Sequence, residues 1–170
     1  MPALEWTDTL ALGLPMMDET HQEFVDLLAR VVKAPDDTLM ALWRELVAHT
    51  NEHFAREDRW MQATGFASDN CHSNQHHVIL QIMKEGDKRG SAGQLDVVRQ
   101  MADELGGWFP MHAQAMDGAL AQHLRNVGYD PVTGQISVPQ ALPAATLHGC
   151  GGASNCATDE EATQAKAVAS

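Results

Sequence analysis

The chain carries an unusual density of side chains that can bind metal ions. Nine of its 170 residues are histidines. Two pairs of candidate ligands, His53 with Glu57 and His72 with His76, are each four residues apart. On an α-helix this spacing puts two side chains on one face about 5–6 Å apart, so both can reach one metal or neighbouring metals. The spacing therefore predicts metal-binding faces on two helices.

Two further segments supply candidate ligands. His21 and His112 each lie in an apolar stripe with helical spacing, and Asp117 follows His112 by five residues. In a regular helix that separation is a rotation of roughly 140°. It suits Asp117 to reaching around a metal cluster as a bridge better than to stacking above His112. His49 lies one turn before His53, and we expect it to be a packed, hydrogen-bonding residue.

Taken singly, each of these residues has a simpler interpretation. One histidine in an apolar stripe is usually a hydrogen-bonded core residue, and Glu57 alone would usually be a surface charge. Seven such groups facing one interior without metal would leave several buried polar groups unpaired, at about 1–3 kcal/mol each. A metal site is therefore favoured, with the ligands His21, His53, Glu57, His72, His76, His112 and Asp117.

The mixture of ligand types indicates the metal. Imidazole with carboxylate suits iron, whereas structural zinc favours thiolates and four ligands. Seven protein ligands are too many for one ion, and they suit two ions bridged by carboxylates. The sequence therefore predicts a site for two iron ions.

Composition and charge limit the other functions. With 23 acidic and 11 basic residues the formal net charge is -12, and no Lys/Arg cluster interrupts it. Nucleic acid and anionic membranes are therefore poor partners. The first residues do not resemble a signal peptide, and no apolar run approaches the roughly 20 residues of a membrane span. We expect a soluble cytoplasmic protein. Three cysteines, two of them near the C-terminus at Cys150 and Cys156, do not make a disulfide framework.

The apolar pattern predicts an all-α fold, an up-down-up-down antiparallel four-helix bundle over residues 18–128. The helices are expected at about 18–34, 36–61, 68–90 and 92–127. Asp18 is a candidate cap for the first, and Ser68 or Asp69 for the third. Pro110 predicts a kink in the fourth helix. Residues 1–17 are interpreted as an N-terminal arm. Residues 129–170, rich in Pro, Gly, Ala, Ser and Thr, are interpreted as a mostly disordered tail.

Four motifs in order carry a resemblance to a known family. They are Asp18-Glu19-Thr20-His21 after Trp6, His53-Phe54-Ala55-Arg56-Glu57-Asp58, Gly65-Phe66 followed by His72 and His76, and Trp108-Phe109-Pro110-Met111-His112 followed by Asp117. Together they resemble bacterial hemerythrins over residues 4 to about 127.

The resemblance implies a division of the ligands. His72, His76 and His112 would hold one iron, and His21 and His53 the other. Two side chains, Glu57 and Asp117, would bridge the irons together with an oxo or hydroxo group. The first iron would then be six-coordinate and the second five-coordinate. Dioxygen would bind reversibly at the five-coordinate iron as the pair cycles between Fe2+ and Fe3+.

By position, five residues are candidates for the lining of a dry oxygen pocket: Phe24, Phe54, Trp108, Phe109 and Ala113. The family generally has a bulky apolar residue where this chain has Ala113. We therefore hypothesise a roomier pocket and faster autoxidation, to be tested with Ala113→Ile.

The function expected is non-enzymatic: dioxygen binding for storage, delivery or sensing, with dioxygen as the partner and any protein partner unknown. The alternative is a di-iron oxidase or peroxidase, or an iron storage or repair protein. Dedicated di-iron oxidases usually have carboxylate-rich sites. Five histidines against two acids favour the carrier.

Overall fold

The computed structural model describes residues 4–149, which form an antiparallel bundle of helices. The helices are α1 (Pro15–Lys33), α2 (Asp36–Ala63), α3 (Cys71–Ser91), α4 (Leu95–His112) and α5 (Gly118–Val127). A π-helical segment, Ala113–Asp117, joins α4 and α5 into one continuous fourth rod of the bundle. Over residues 4–149 the β pairings are isolated bridges and no strand forms. The predicted all-α four-helix bundle is confirmed.

Neighbouring rods pack around a common interior. The first helix contacts α2 and α4, and α3 contacts the same two helices from the opposite side. Each helix turns an apolar face inward, as the sequence pattern predicts. None of the described helices has a stretch long and apolar enough to cross a lipid bilayer.

The start of α1 differs from the prediction. The helix begins at Pro15, three residues before the predicted cap Asp18. Proline suits the first turn of a helix because its missing N–H would have no partner there. The Asp18 carboxylate instead accepts hydrogen bonds from the backbone N–H of Leu12 at 2.7 Å and of Gly13 at 3.0 Å. Asp18 therefore fastens the N-terminal arm to α1.

The start of the third helix differs in the opposite direction and is later than predicted. It begins at Cys71, and neither Ser68 nor Asp69 caps it. The Asn70 side chain accepts hydrogen bonds from the backbone N–H of His72 at 2.9 Å and of Ser73 at 3.1 Å. Asparagine is among the preferred N-cap residues for this reason. The cap sets the position of His72 in the first turn of α3.

The interior is divided into two apolar clusters. The large apolar cluster is built on α1, α2, α3 and α4 and includes Phe24, Leu28, Val31, Trp43, Leu46, Met83, Val98 and Phe109. The small apolar cluster lies toward the start of α1, the end of α2 and α5, and consists of Leu14, Met17, Trp60, Met61, Phe66, Leu120, Ala121 and Leu124. Along α1, His21 stands between Met17 of the small cluster and Phe24 of the large one. A polar layer therefore separates the two clusters.

The chain after α5 folds back onto the bundle. The N–H of Leu147 donates to the carbonyl of Gly65 at 2.9 Å, and the N–H of Cys71 donates to the carbonyl of His148 at 3.3 Å. Cys71 is also disulfide-bonded. The predicted disordered tail thus begins with a segment, residues 129–149, that pairs first with the end of α5 and then, through Leu147 and His148, with the chain between α2 and α3. The rest of that prediction, residues 150–170, lies outside the described residues.

Candidate metal centre

All seven predicted ligands lie together in the polar layer. Each is at most 2% exposed: His21, His53, Glu57, His72, His76, His112 and Asp117. They form two groups in which the ligand atoms lie within 4.8 Å of one another. We call the first the three-histidine position (His72, His76 and His112 with Glu57 and Asp117). The second is the two-histidine position (His21 and His53 with the same two carboxylates).

The Glu57 carboxylate stands between the two positions. Its Oε1 lies 3.2 Å from Nε2 of His53. Its Oε2 lies 3.3 Å from Nε2 of His76 and 3.8 Å from Nε2 of His72. One oxygen therefore faces each position, which is the arrangement that a bridging carboxylate needs.

Asp117 divides its oxygens in the same way. Its Oδ2 lies 3.1 Å from Nε2 of His21, in the two-histidine position. Its Oδ1 lies 2.9 Å from Nε2 of His72 and 3.1 Å from Nε2 of His112. The two acids thus link the same pair of positions from two helical rods.

A wide turn of the fourth rod brings Asp117 to this place. In a π-helix the backbone hydrogen bonds run from residue i to i+5, so residues five apart share a face. The π segment Ala113–Asp117 follows His112 directly, and Asp117 therefore points to the same side as His112. The sequence-based view that Asp117 must reach around by roughly 140° was wrong, because it assumed a regular helix. The α4 helix continues through Pro110, and the irregularity lies at the π segment.

The buried polar atoms fit a bound cation. The histidine Nε2 atoms and carboxylate oxygens are buried, yet their close contacts do not have hydrogen-bond geometry. Among the described residues no lysine or arginine forms an ion pair with Glu57 or Asp117. Two buried carboxylates without a cation would be costly. Metal–ligand bonds of about 2 Å place the ligands of one ion within roughly 4 Å of each other, which agrees with the spacing found.

The electrostatics keep both carboxylates ionised. Burial raises the pKa of Glu57, and so does the charge of Asp117. Contacts with His53 and His76 outweigh both effects, so the pKa of Glu57 is lowered. Burial likewise raises the pKa of Asp117, but contacts with His112, His21 and His72 bring it well below its usual value. Both acids are therefore available as anionic ligands at neutral pH.

The histidines respond in different directions. Burial lowers the pKa of His76, but the hydrogen bond to Asp58 and the contact with Glu57 raise it to about 9. Burial lowers the pKa of His21 as well, yet the contact with Asp117 leaves it raised. For His112 burial dominates and the pKa is lowered.

Two residues that sequence reasoning missed hold the outer nitrogens of ligand histidines. Asp58 Oδ1 lies 3.0 Å from Nδ1 of His76, and Gln75 Oε1 lies 2.6 Å from Nδ1 of His112. Asp58 lies in α2 and contacts a histidine of α3, whereas Gln75 lies in α3 and contacts a histidine of α4. Their adjacency in sequence to Glu57 and His76 was a signal, but their contacts depend on how the helices are rotated against each other.

The candidate pocket residues divide between the two positions. Phe24 stacks on Phe109 with ring centroids 4.4 Å apart, and Phe109 meets His21 edge-on at 5.2 Å. Phe54 lies parallel to the ring of His76 at 3.9 Å, and Trp108 stacks on the ring of His112 at 4.5 Å. Ala113 is fully buried and belongs to the large apolar cluster.

The remaining candidate, His49, stays outside both groups. Its Nε2 lies 3.1 Å from Glu23 Oε2. Burial lowers the pKa of His49. Its contact agrees with the hydrogen-bonding role predicted for it.

The interior of this helical bundle carries two adjoining groups of histidines and carboxylates. This arrangement is typical of cation-binding helical bundles. Residues 12–128 match the family described as the hemerythrin HHE cation binding domain. The chain belongs to this family.

Several bacteriohemerythrins are similar to the chain. The chain is 33% identical over 130 residues to a bacteriohemerythrin of Ralstonia nicotianae, covering 76% of this chain and 95% of that protein. It is 26% identical over 129 residues to a bacteriohemerythrin of Stenotrophomonas maltophilia, covering 74% and 84%. A bacteriohemerythrin of Pseudomonas aeruginosa is 25% identical over 130 residues with the same coverage. No solved structure gives a significant match.

Proposed function

We propose that the protein holds two iron ions with a bridging oxo or hydroxo group and binds dioxygen reversibly at the two-histidine position. The observation that carries this proposal is the pair of carboxylates that turn one oxygen toward each position. Three histidines, two carboxylates and the solvent-derived bridge give six ligands in the three-histidine position. The two-histidine position receives five, which leaves room for a small ligand.

The residues of the chain have three tasks in this proposal. The histidines and carboxylates hold the ions, and when bound a pair of ferrous ions supplies reversible two-electron chemistry toward dioxygen. Phe109, which is buried against His21, and Phe24, which stacks on Phe109, exclude water from the two-histidine position. The apolar clusters on both sides fix the helices, so the ligand geometry is built on rigid elements.

The competing proposals are an oxidase or peroxidase, and an iron storage or repair protein. The balance of five histidines to two acids supports the carrier over an oxidase of the carboxylate-rich type. Whether the carrier serves storage, delivery or sensing, and its location in the cytoplasm, stay predictions from the sequence.

The test is a dioxygen titration of the full chain loaded anaerobically with ferrous iron. A carrier takes up one dioxygen for each pair of irons and returns it intact under argon. An oxidase or peroxidase would consume dioxygen without returning it, and a storage protein would release or accumulate iron. His21→Ala should abolish the uptake, whereas the matched control His77→Ala should keep it. His77 is exposed and contacts Gln81, outside both positions.

A further inference from the structure

The two metal positions differ in what lies behind their histidines. In the three-histidine position, His76 and His112 each place Nδ1 against an acceptor from another helix, namely Asp58 and Gln75. Among the described residues, Nδ1 of His21 and Nδ1 of His53 are buried and have no hydrogen-bond partner. The second layer of contacts is therefore concentrated on one side of the centre.

Aromatic packing adds to the same asymmetry. The ring of Phe54 lies parallel to that of His76, with an interplanar angle of 6°, and Trp108 stacks on His112 at 26°. The phenylalanine rings beside His21 and His53 meet them edge-on or tilted, at 5.2 and 5.3 Å. The rings of His76 and His112 are thus each held by a hydrogen bond at the ring edge and by an aromatic ring stacked on one face.

These contacts have a known effect on metal binding. An acceptor at Nδ1 fixes the tautomer that leaves the Nε2 lone pair free for the metal, and it makes the imidazole a stronger donor. The Nε2 atoms of His76 and His112 are the ones that face the shared carboxylates. Loss of such an outer partner typically lowers metal affinity by about 10–100-fold.

We infer that Asp58 and Gln75 are positioning residues that make the three-histidine position fill first and keep its metal longest. The two-histidine position fills second and is emptied first by a chelator. This inference rests on the proposed two-metal site and adds an order of assembly to it. The position that is proposed to take dioxygen is then also the one that controls whether the centre is complete.

The order can be read from anaerobic titration of the metal-free full chain with Co2+ in competition with a chelating dye. Wild type should bind one ion tightly and a second more weakly. His21→Ala should keep the tight step and lose the weak one, whereas His112→Ala should lose the tight step. The opposite assignment of the steps would overturn the inference.

The positioning role is tested with Asp58→Ala and Gln75→Leu. Each should weaken the tight step by about 10–100-fold, and Asp58→Asn, which keeps the size of the side chain and a weaker acceptor, should weaken it less. The matched controls are Asp69→Ala and Gln81→Leu, two exposed residues outside the hydrogen bonds to the ligand histidines. These should leave both steps unchanged.

Two outcomes separate the inference from the proposed function. If Asp58→Ala and Gln75→Leu leave the tight step unchanged while wild type still binds two ions, the positioning role is wrong and the two-metal site stands. If wild type binds fewer than two ions, the proposed function fails and the inference with it.

Discussion

The polar layer and the two apolar clusters are built from the same helices, but they differ in how the contacts of their buried side chains are satisfied. The side chains of the large apolar cluster satisfy each other, as Leu28, Leu46 and Val98 do within the described core. The histidine and carboxylate atoms of the polar layer approach each other without forming hydrogen bonds. The apolar clusters therefore stabilise the bundle, whereas the polar layer between them is arranged to bind a ligand.

The largest effect on the polar layer is expected when a group that both metal positions share is removed. Glu57→Ala should lower the iron content from two per chain to less than one, because Glu57 belongs to both groups. Glu52→Ala is the control: it is an exposed glutamate on the same helix and should leave two irons. Metal analysis after anaerobic loading and gel filtration measures both. Two irons in Glu57→Ala would contradict the role of this carboxylate as a bridge.

A substitution in the large apolar cluster should have the opposite signature. Leu46 is fully buried, so Leu46→Ala should lower the free energy of unfolding by about 2–5 kcal/mol. The iron content should stay at two per chain, since Leu46 is outside both positions. Urea unfolding of metal-free and iron-loaded protein measures the first quantity. A loss of iron without a loss of stability would show that the layer and the cluster are not separable.

The disulfide of Cys71 offers a third test, at the edge of the polar layer. Cys71→Ser should lower the free energy of unfolding by about 2–4 kcal/mol, because the disulfide of Cys71 restricts the unfolded chain. Reduction of the wild-type protein should have a similar effect. Urea unfolding measures both, and an unchanged midpoint in Cys71→Ser would contradict a stabilising role of this bond.

The pH dependence of the metal-free protein sharpens the contrast further. The pKa values of His76 and His21 are raised above 6.5, so the stability that these residues contribute is complete below pH 6.5. It is lost as the pH rises, for His76 through about 9. The metal-free protein should therefore unfold more easily at pH 10 than at pH 6.5, and Asp58→Asn should reduce the difference. Thermal unfolding at several pH values measures it. An unchanged midpoint would contradict the pKa shift of His76.

The smallest effect is expected from a substitution at the boundary between the polar layer and the large apolar cluster. Ala113 is fully buried at the start of the π segment. Ala113→Ile should fill space beside the centre and lengthen the lifetime of the oxygenated protein, at a cost of about 1–3 kcal/mol in stability from overpacking. Absorbance decay in air compares the two proteins. Equal lifetimes would remove the hypothesis of a roomier pocket.

The sequence predicted the elements that periodicity controls. Apolar spacing predicted four helical rods, and the i, i+4 pairs on α2 and α3 put His53 with Glu57 and His72 with His76 on shared faces. The orientation of Asp117 could not be predicted this way, because a π turn changes the period locally. Asp58 and Gln75 were missed since their contacts cross between helices.

The segment after α5 shows a different limit. Its composition predicted disorder, and it contains few large apolar residues. Residues 129–149 are held mainly by backbone hydrogen bonds, such as those between Leu147 and the turn at Gly65 and Ala67. Backbone pairing of this kind leaves little trace in composition or hydrophobic spacing.

The most direct test of the central claim is Mössbauer spectroscopy on the full chain loaded with 57Fe and then oxidised. Two ions held by the same pair of carboxylates predict two irons per chain, in two distinguishable environments whose spins couple to a diamagnetic ground state. A single iron per chain, or two magnetically independent irons, would contradict the shared site.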